Sequence, residues 1–352
     1  MTSPGQDLCA GFYHDVVAPS VEVPHAAALV GEGSEVLGFD DHRSTDHAWG
    51  PRLHLFVDEQ AIEDVTRRVE QRLPETYRSV PVRFYAWQDQ QVRHHVTITT
   101  VASWLASELR TPWPIEAQDA WLRLSQQRLL QVTAGPVFQD DLGDLTRACQ
   151  VLAYFPDDIW WWLQASQWQL IAGVEPLPGR LDEAGDRRGS RLCSQRLAML
   201  AMELTFLHAR RYRPYAKWFA AAFDRLERAA VVGPLIDAVL DADDADQQAT
   251  ALVDLLQVLG AQHNAISPGE QVDPRCQPFE VGINRARRPY QVLNAERYVR
   301  ACLDQITDPG LRRLPPVGAL DQLTHGSDLL INFTEWPERL GDVYASLLGR
   351  SR

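Results

Sequence analysis

The stretch LVGEGSEVLGFDDHRSTDHAWGPRLHLFVDE, Leu29 to Glu59, decides how the N-terminal part folds. AALV (27–30) and RLHLFV (52–57) read as short strands. Between them lie a Gly-Ser turn, a run of acids and histidines, and the tetrad Trp-Gly-Pro-Arg. Gly33 lets the backbone turn tightly after the first strand, so that its amide and the Ser34 hydroxyl face an incoming phosphate. Asp46, on the second strand or just before it, brings a carboxylate to the same place to hold Mg2+, which prefers hard oxygens and shares them with substrate phosphates.

Outward from this stretch, residues 8–20 and 60–72 carry apolar residues at helical spacing, and VPVRFYAW (80–87) and VTITTV (96–101) are further β-rich runs. From VASWLASEL (101–109) onward the pattern changes to helical segments, among them QDAWLRLSQQRLLQVT, WWWLQASQWQLIA and SRLCSQRLAMLAMELTFLHARRY, so the remainder reads as almost wholly α-helical. The prolines of RTPWPIEAQ (110–118) break helices and mark a connection. The expectation is an α+β chain: a mixed sheet with flanking helices over residues 1–110, then a mostly helical domain over 111–352.

The chain has 352 residues, an apolar fraction of 45% and a formal charge of −13. That length suggests two domains, and that composition buries a sizeable core. The net acidity argues against bulk nucleic acid or an anionic membrane as partner, because either needs a basic face. Five widely spaced cysteines without a Cys-x-x-Cys pair read as reduced thiols, and no apolar run is long enough to span a bilayer, which together predict a cytoplasmic protein. Of 34 basic residues only one, Lys217, is a lysine.

A strand, Gly-Ser, about a dozen residues, Asp and a second strand resembles the nucleotidyltransferase superfold shared by polymerase β and the aminoglycoside nucleotidyltransferases. With GSEVLGFDDHRSTDHAWGPRLHLF, AGPVFQDDLG, YFPDDIWWWLQASQW and YRPYAKWFAAAF, the chain also resembles the bacterial family of domain of unknown function 4037. The superfold resemblance implies an NTP, ATP foremost, as donor, with Gly33 and Ser34 on its β- and γ-phosphates and Asp46 on Mg2+. Arg52 and Lys217 would neutralise phosphate charge. Lys217 matches a lysine that the helical domain of the aminoglycoside enzymes uses to steady the triphosphate, and the helical domain would complete the cleft. Transfer would be in-line attack by a hydroxyl of a small molecule or a protein on the α-phosphorus, releasing pyrophosphate.

Two positions depart from the superfold. Ala48 stands where a second acid is wanted, two residues after Asp46, and RHHVTITT, where a third would be sought, offers His94, His95 and Thr97 instead. Glu35, Asp40, Asp41 and Asp58 are the acids nearby in sequence. A catalytically degenerate nucleotide-binding sensor or partner-binding module is therefore the alternative reading. Other features have structural explanations beside functional ones: Arg52 as an ion-pair partner, Trp49-Gly50-Pro51 as a rigid turn, His42, His47, His94 and His95 as structural histidines, and Trp160-Trp161-Trp162 as core. In the same way GDRRGS (185–190) is either an anion site or a capped helix start, and Arg285, Arg287 and Arg288 meet an acidic substrate or balance the chain's own acids.

Overall fold

The computed structural model describes residues 3–46, 49–85, 91–281 and 286–349. Helix α1 (Pro4–Phe12) opens with a reciprocal cap, in which the Gln6 amide donates to the Ser3 hydroxyl and the Ser3 amide donates to the Gln6 side chain. The helical path continues through residues 13–20 to strand β1 (Ala26–Ala28), every residue of which is buried. Strand β2 (Arg52–Phe56) runs antiparallel to it, with Ala26 opposite Phe56 and Ala28 opposite His54. Helix α2 (Ile62–Arg72) turns Val65 and Val69, four positions apart, into the core. A small ladder, β3 (Thr76–Tyr77) with β4 (Val80–Pro81), leads to β5 (Arg83–Tyr85) and the long β6 (Val92–Thr99).

β6 pairs antiparallel with β5 and parallel with β2, and β2 lies beside β1. After α3 (Val101–Leu109) and α4 (Gln126–Thr133), β7 (Val137–Asp140) pairs antiparallel with the free edge of β1, giving the order β5-β6-β2-β1-β7. Gly135 makes this possible, since a Cβ there would sit 1.7 Å from the Leu29 carbonyl oxygen. Helix α5 (Asp144–Val151) follows. Phe12, Leu53, Leu55, Val65 and Val69 form one core cluster, and burying a Leu of this kind stabilises by about 1.5–3 kcal/mol.

Residues 1–116 and 126–153 form this first compact unit, and residues 117–125 and 154–352 form the second. The second is built on α6 (Asp157–Val174), α7 (Leu177–Glu183), α8 (Arg187–His208), α9 (Ala216–Phe223), α10 (Ala229–Leu240) and α11 (Ala245–Ile266). Trp160, Trp161 and Trp162 are all core residues, and the Trp160 indole donates to the Leu207 carbonyl and that of Trp162 to the Leu314 carbonyl, so these two buried N–H groups are satisfied. GDRRGS is a capped helix start, Asp186 accepting from the Gly189 amide at 2.9 Å.

A hairpin, β8 (Gln277–Val281) with β9 (Ala286–Val292), interrupts the helices. It carries part of the basic run: Arg287 pairs with Glu280 and Arg288 with Glu183, while Arg285 lies outside the described residues. Helices α12 (Glu296–Leu303), α13 (Pro309–Arg313), α14 (Leu320–Thr324), α15 (Asp328–Asn332) and α16 (Trp336–Leu347) complete the unit. The α+β class, with a mixed N-terminal sheet and a mostly helical remainder, is as read from the sequence. Among the described residues no helix is long and apolar enough to cross a membrane. All five cysteines are free.

Candidate functional site

β1 delivers the chain, through the fully buried Leu29 and Val30, into a turn rather than a helix. Residues 34–38 close on themselves, with Gly38 N donating to the Glu35 carbonyl and Phe39 N to the Ser34 carbonyl. Gly33 has φ +133°, a region L side chains avoid, and a Cβ there would lie 2.4 Å from Arg52 Nη2 and 2.6 Å from both Glu35 carboxylate oxygens. The Gly33 amide donates to nothing among the described residues. Only glycine satisfies both the dihedral and the approach, so the turn and the pair beneath it are built together.

That pair is Glu35 with Arg52. Arg52 Nε donates to Glu35 Oε1 at 2.7 Å, its Nη2 lies 2.7 Å from the same oxygen, and Nη2 also reaches the Glu32 carbonyl. The side chains are only 15% and 6% exposed. Arg52 is thus an ion-pair partner in this structure, with a carboxylate already on its fork.

Asp40 joins from the other side. Its Oδ2 accepts from the Gly5 amide at 2.7 Å, whereas Oδ1 is buried without a partner among the described residues. A Cβ on Gly5 would lie 2.5 Å from Glu35 Cβ, 2.9 Å from Asp40 Oδ2 and 3.1 Å from the Trp49 indole nitrogen, so the start of α1 is what draws these three side chains together. Cys9, one turn along α1, faces the Gly50 carbonyl, and burial pushes its thiol up to about 11. The Trp49-Gly50-Pro51 turn is fixed by the Phe84 ring, which packs on Gly50 and stacks on His95 at 4.1 Å.

Asp46 lies exposed at the end of a 3-10 turn, Ser44–Asp46, whose Ser44 is buried, next to Asp41, which accepts from the Arg43 and Ser44 amides. Those amides hold the Asp41 carboxyl below its usual value. His47 and Ala48 are outside the described residues. On β2, His54 is pushed down to about 3 by burial and by the charge of Arg52, so it stays a neutral imidazole facing Gly31. The parallel register sets Arg52 opposite His95 and His54 opposite Thr97, so an imidazole and a hydroxyl neighbour these two β2 residues. His94 is lowered by burial despite Glu70 at 3.7 Å, and His42 is exposed.

Gly33, Ser34, Glu35, Asp40 and Arg52 are therefore brought into one locality. Lys217 belongs to the second unit, where it is exposed on α9 with its ammonium 4.8 Å from the Trp218 ring centroid. Tyr215 is the N-cap residue of that helix. Glu35 and Asp40 are the site residues whose position local spacing does not reveal: Asp40 is held by an amide 35 positions away. Among the described residues no three His, Cys, Asp or Glu side chains converge as a metal-binding group. With Glu35 engaged by Arg52, these side chains do not fit a resident pair of Mg2+ ions.

Comparison with known proteins agrees in part with the resemblance. No curated protein matches the chain. A solved structure, a nucleotidyltransferase-like protein from Exiguobacterium sibiricum 255-15, is 12% identical over 78% of this chain and 82% of that chain, with a TM-score of 0.30. Residues 121–219 match the family described as Domain of unknown function (DUF4037), a span that holds AGPVFQDDLG and YFPDDIWWWLQASQW and leaves out the Leu29–Glu59 stretch. Over that span the chain is similar to this family, as those motifs suggested.

Proposed function

We propose that the chain binds a nucleoside triphosphate, with its Mg2+, at the Gly33–Ser34 turn, as a nucleotide-binding module on a nucleotidyltransferase-like frame. The observation that supports this best is the Gly33 amide: half-buried, in a conformation only glycine takes readily, and without a partner among the described residues. An amide of that kind suits a phosphate oxygen. Mg2+ comes with the nucleotide and needs few protein ligands, for which the exposed Asp46 suffices. Lys217 is the helical unit's candidate for phosphate charge.

Transfer of a nucleoside monophosphate to a hydroxyl of a small molecule or protein is the second reading. Asp40 favours it, because its unpartnered Oδ1 is a further carboxylate oxygen beside the turn. ATP is the first donor to try.

Three substitutions test the assignment. Gly33→Ala is expected to cost about 1–3 kcal/mol through the strained dihedral and to abolish stabilisation by NTP well below its own melting temperature. Asp46→Asn is expected to remove the Mg2+ dependence of that stabilisation. Lys217→Ala gives up an exposed cation–π contact worth about 0.5–1 kcal/mol, so its melting temperature should barely move while NTP binding weakens about tenfold. Wild-type nucleotide responses in all three variants would remove the turn, the carboxylate and the lysine from the site.

A further inference from the structure

We propose that a cavity at the opposite end of the first unit's sheet binds a small organic cation, an ammonium group on an apolar body. The cavity has a volume of 370 Å3, inside the range of about 300–1,000 Å3 typical of small-molecule sites. Ala26 and Phe56, paired across β1 and β2, line it. Arg52, at the other end of β2, borders the Gly-Ser turn, and four strand steps of about 3.3 Å put roughly 13 Å between them. The inference therefore stands apart from the nucleotide reading.

The floor is apolar: Ala26, Phe56, Val57 and Ala148 are all buried. Leu142 and Val151, 55% and 57% exposed, border the opening, the amount of uncovered apolar surface that an aliphatic or aromatic ligand body would cover. The polar lining fixes the sign of the ligand's charge. Asp58, Glu59, Asp140 and Asp144 contribute four carboxylates. Arg147, the cavity's guanidinium, is already paired with Asp144.

Asp140 is oriented by the Gly143 and Thr146 amides at 3.0 and 2.7 Å. The carboxylates of Asp58 and Glu59 take no hydrogen bond or ion pair among the described residues, and Asp58 does not cap the turn it precedes. The His25 ring is already engaged by its neighbours, with Nδ1 hydrogen-bonded to the Val23 carbonyl and Nε2 to the Tyr13 hydroxyl. An ammonium has donors to offer Asp58 and Glu59, and its apolar tail replaces water against Phe56 and Val57. Anions meet uncompensated carboxylates here, and a neutral ligand leaves Asp58 and Glu59 without a counterion.

Titration calorimetry of the full chain with n-hexylammonium, 1-hexanol and hexanoate tests this. Hexylammonium is expected to bind, hexanol to bind at least about tenfold more weakly, and hexanoate to show no heat up to about 10 mM. The double variant Asp58→Asn/Glu59→Gln should lose about tenfold in hexylammonium affinity with an unchanged melting temperature, because both side chains are exposed. Val151→Trp, at the opening, should block binding. Equal affinity for amine and alcohol, no binding of the amine at about 10 mM, or indifference to all three substitutions would overturn the proposal.

Discussion

Replacing Glu35 with alanine is expected to destabilise the first unit by about 3–5 kcal/mol, because the guanidinium of Arg52 stays behind in a buried site with its counter-charge removed. The magnitude comes from the asymmetry of buried pairs: a matched pair is close to neutral against an apolar pair of equal shape, whereas half a pair leaves a desolvated charge. The double variant Glu35→Ala/Arg52→Met should accordingly recover most of the loss in urea unfolding. A Glu35→Ala protein within about 0.5 kcal/mol of wild type would mean that water already solvates the pair. Glu35→Gln adds a functional reading, since it removes the competing charge with little change of shape. Tighter NTP binding by this variant would show that phosphate and Glu35 compete for Arg52.

The second large effect concerns the helical unit, which is expected to lose stability as pH falls from about 6.5 toward 4. His208 on α8 and His263 on α11 are 4% and 0% exposed, with ring centroids 6.3 Å apart, and neither ring nitrogen of either residue has a hydrogen-bond partner among the described residues. Trp168 of α6 and Tyr298 of α12 pack against them. Burial pushes His263 down to about 4 and His208 well below the usual value, the latter helped by the neighbouring imidazole and Arg228.

In the unfolded chain both histidines take up protons below about 6.5, while in the fold they remain neutral. Between the two values the unfolded state binds more protons, so stability rises with pH and is lost on acidification. His263 alone accounts for about 3 kcal/mol across this window. Glu175 works in the opposite sense, because burial pushes it up to about 7 even though it accepts from the Leu293 and Ala295 amides. Folded Glu175 binds the extra proton between about 4.5 and 7, which offsets one histidine and leaves the other. Hydrogen exchange in α6 and α8 as a function of pH reads the net effect, and His208→Phe/His263→Phe should flatten it. A profile identical to wild type in that variant would exonerate the pair.

How far the sequence discloses this molecule varies with the source of each feature. β1 and β2 are legible because short apolar runs bounded by glycine, proline and charge are local signals. QDAWLRLSQQRLLQVT reads as one helix but is broken after Arg123, where the chain returns from the second unit to the first between Ser125 and Gln126. β7 escapes notice because Pro136 and two acids dilute the pattern of VFQD, and its role depends on the open edge of β1. The β8–β9 hairpin hides in an Arg-rich segment whose strand residues are mostly exposed, so no apolar alternation announces it.

In the site, Gly33, Ser34 and Arg52 are readable from spacing. The position of Glu35 and Asp40 is not, because it is fixed by the backbone of α1, far away in the chain. Arg52 shows the limit most plainly: its charge is visible in the sequence, but whether a carboxylate already holds it is a tertiary fact.

The ligand proposed for the Gly33–Ser34 turn is a nucleoside triphosphate. Thermal unfolding of the full chain with each of the four NTPs, with and without Mg2+, tests it most directly, since a ligand that binds only the folded state stabilises it by RT ln(1 + [L]/Kd). A Mg2+-dependent rise in melting temperature is expected with at least one NTP, ATP first, equivalent to about 2.7 kcal/mol at one hundred times Kd and abolished by Gly33→Ala. No shift with any NTP at about millimolar concentration would contradict it, and the turn would then be a structural device for seating the Glu35–Arg52 pair.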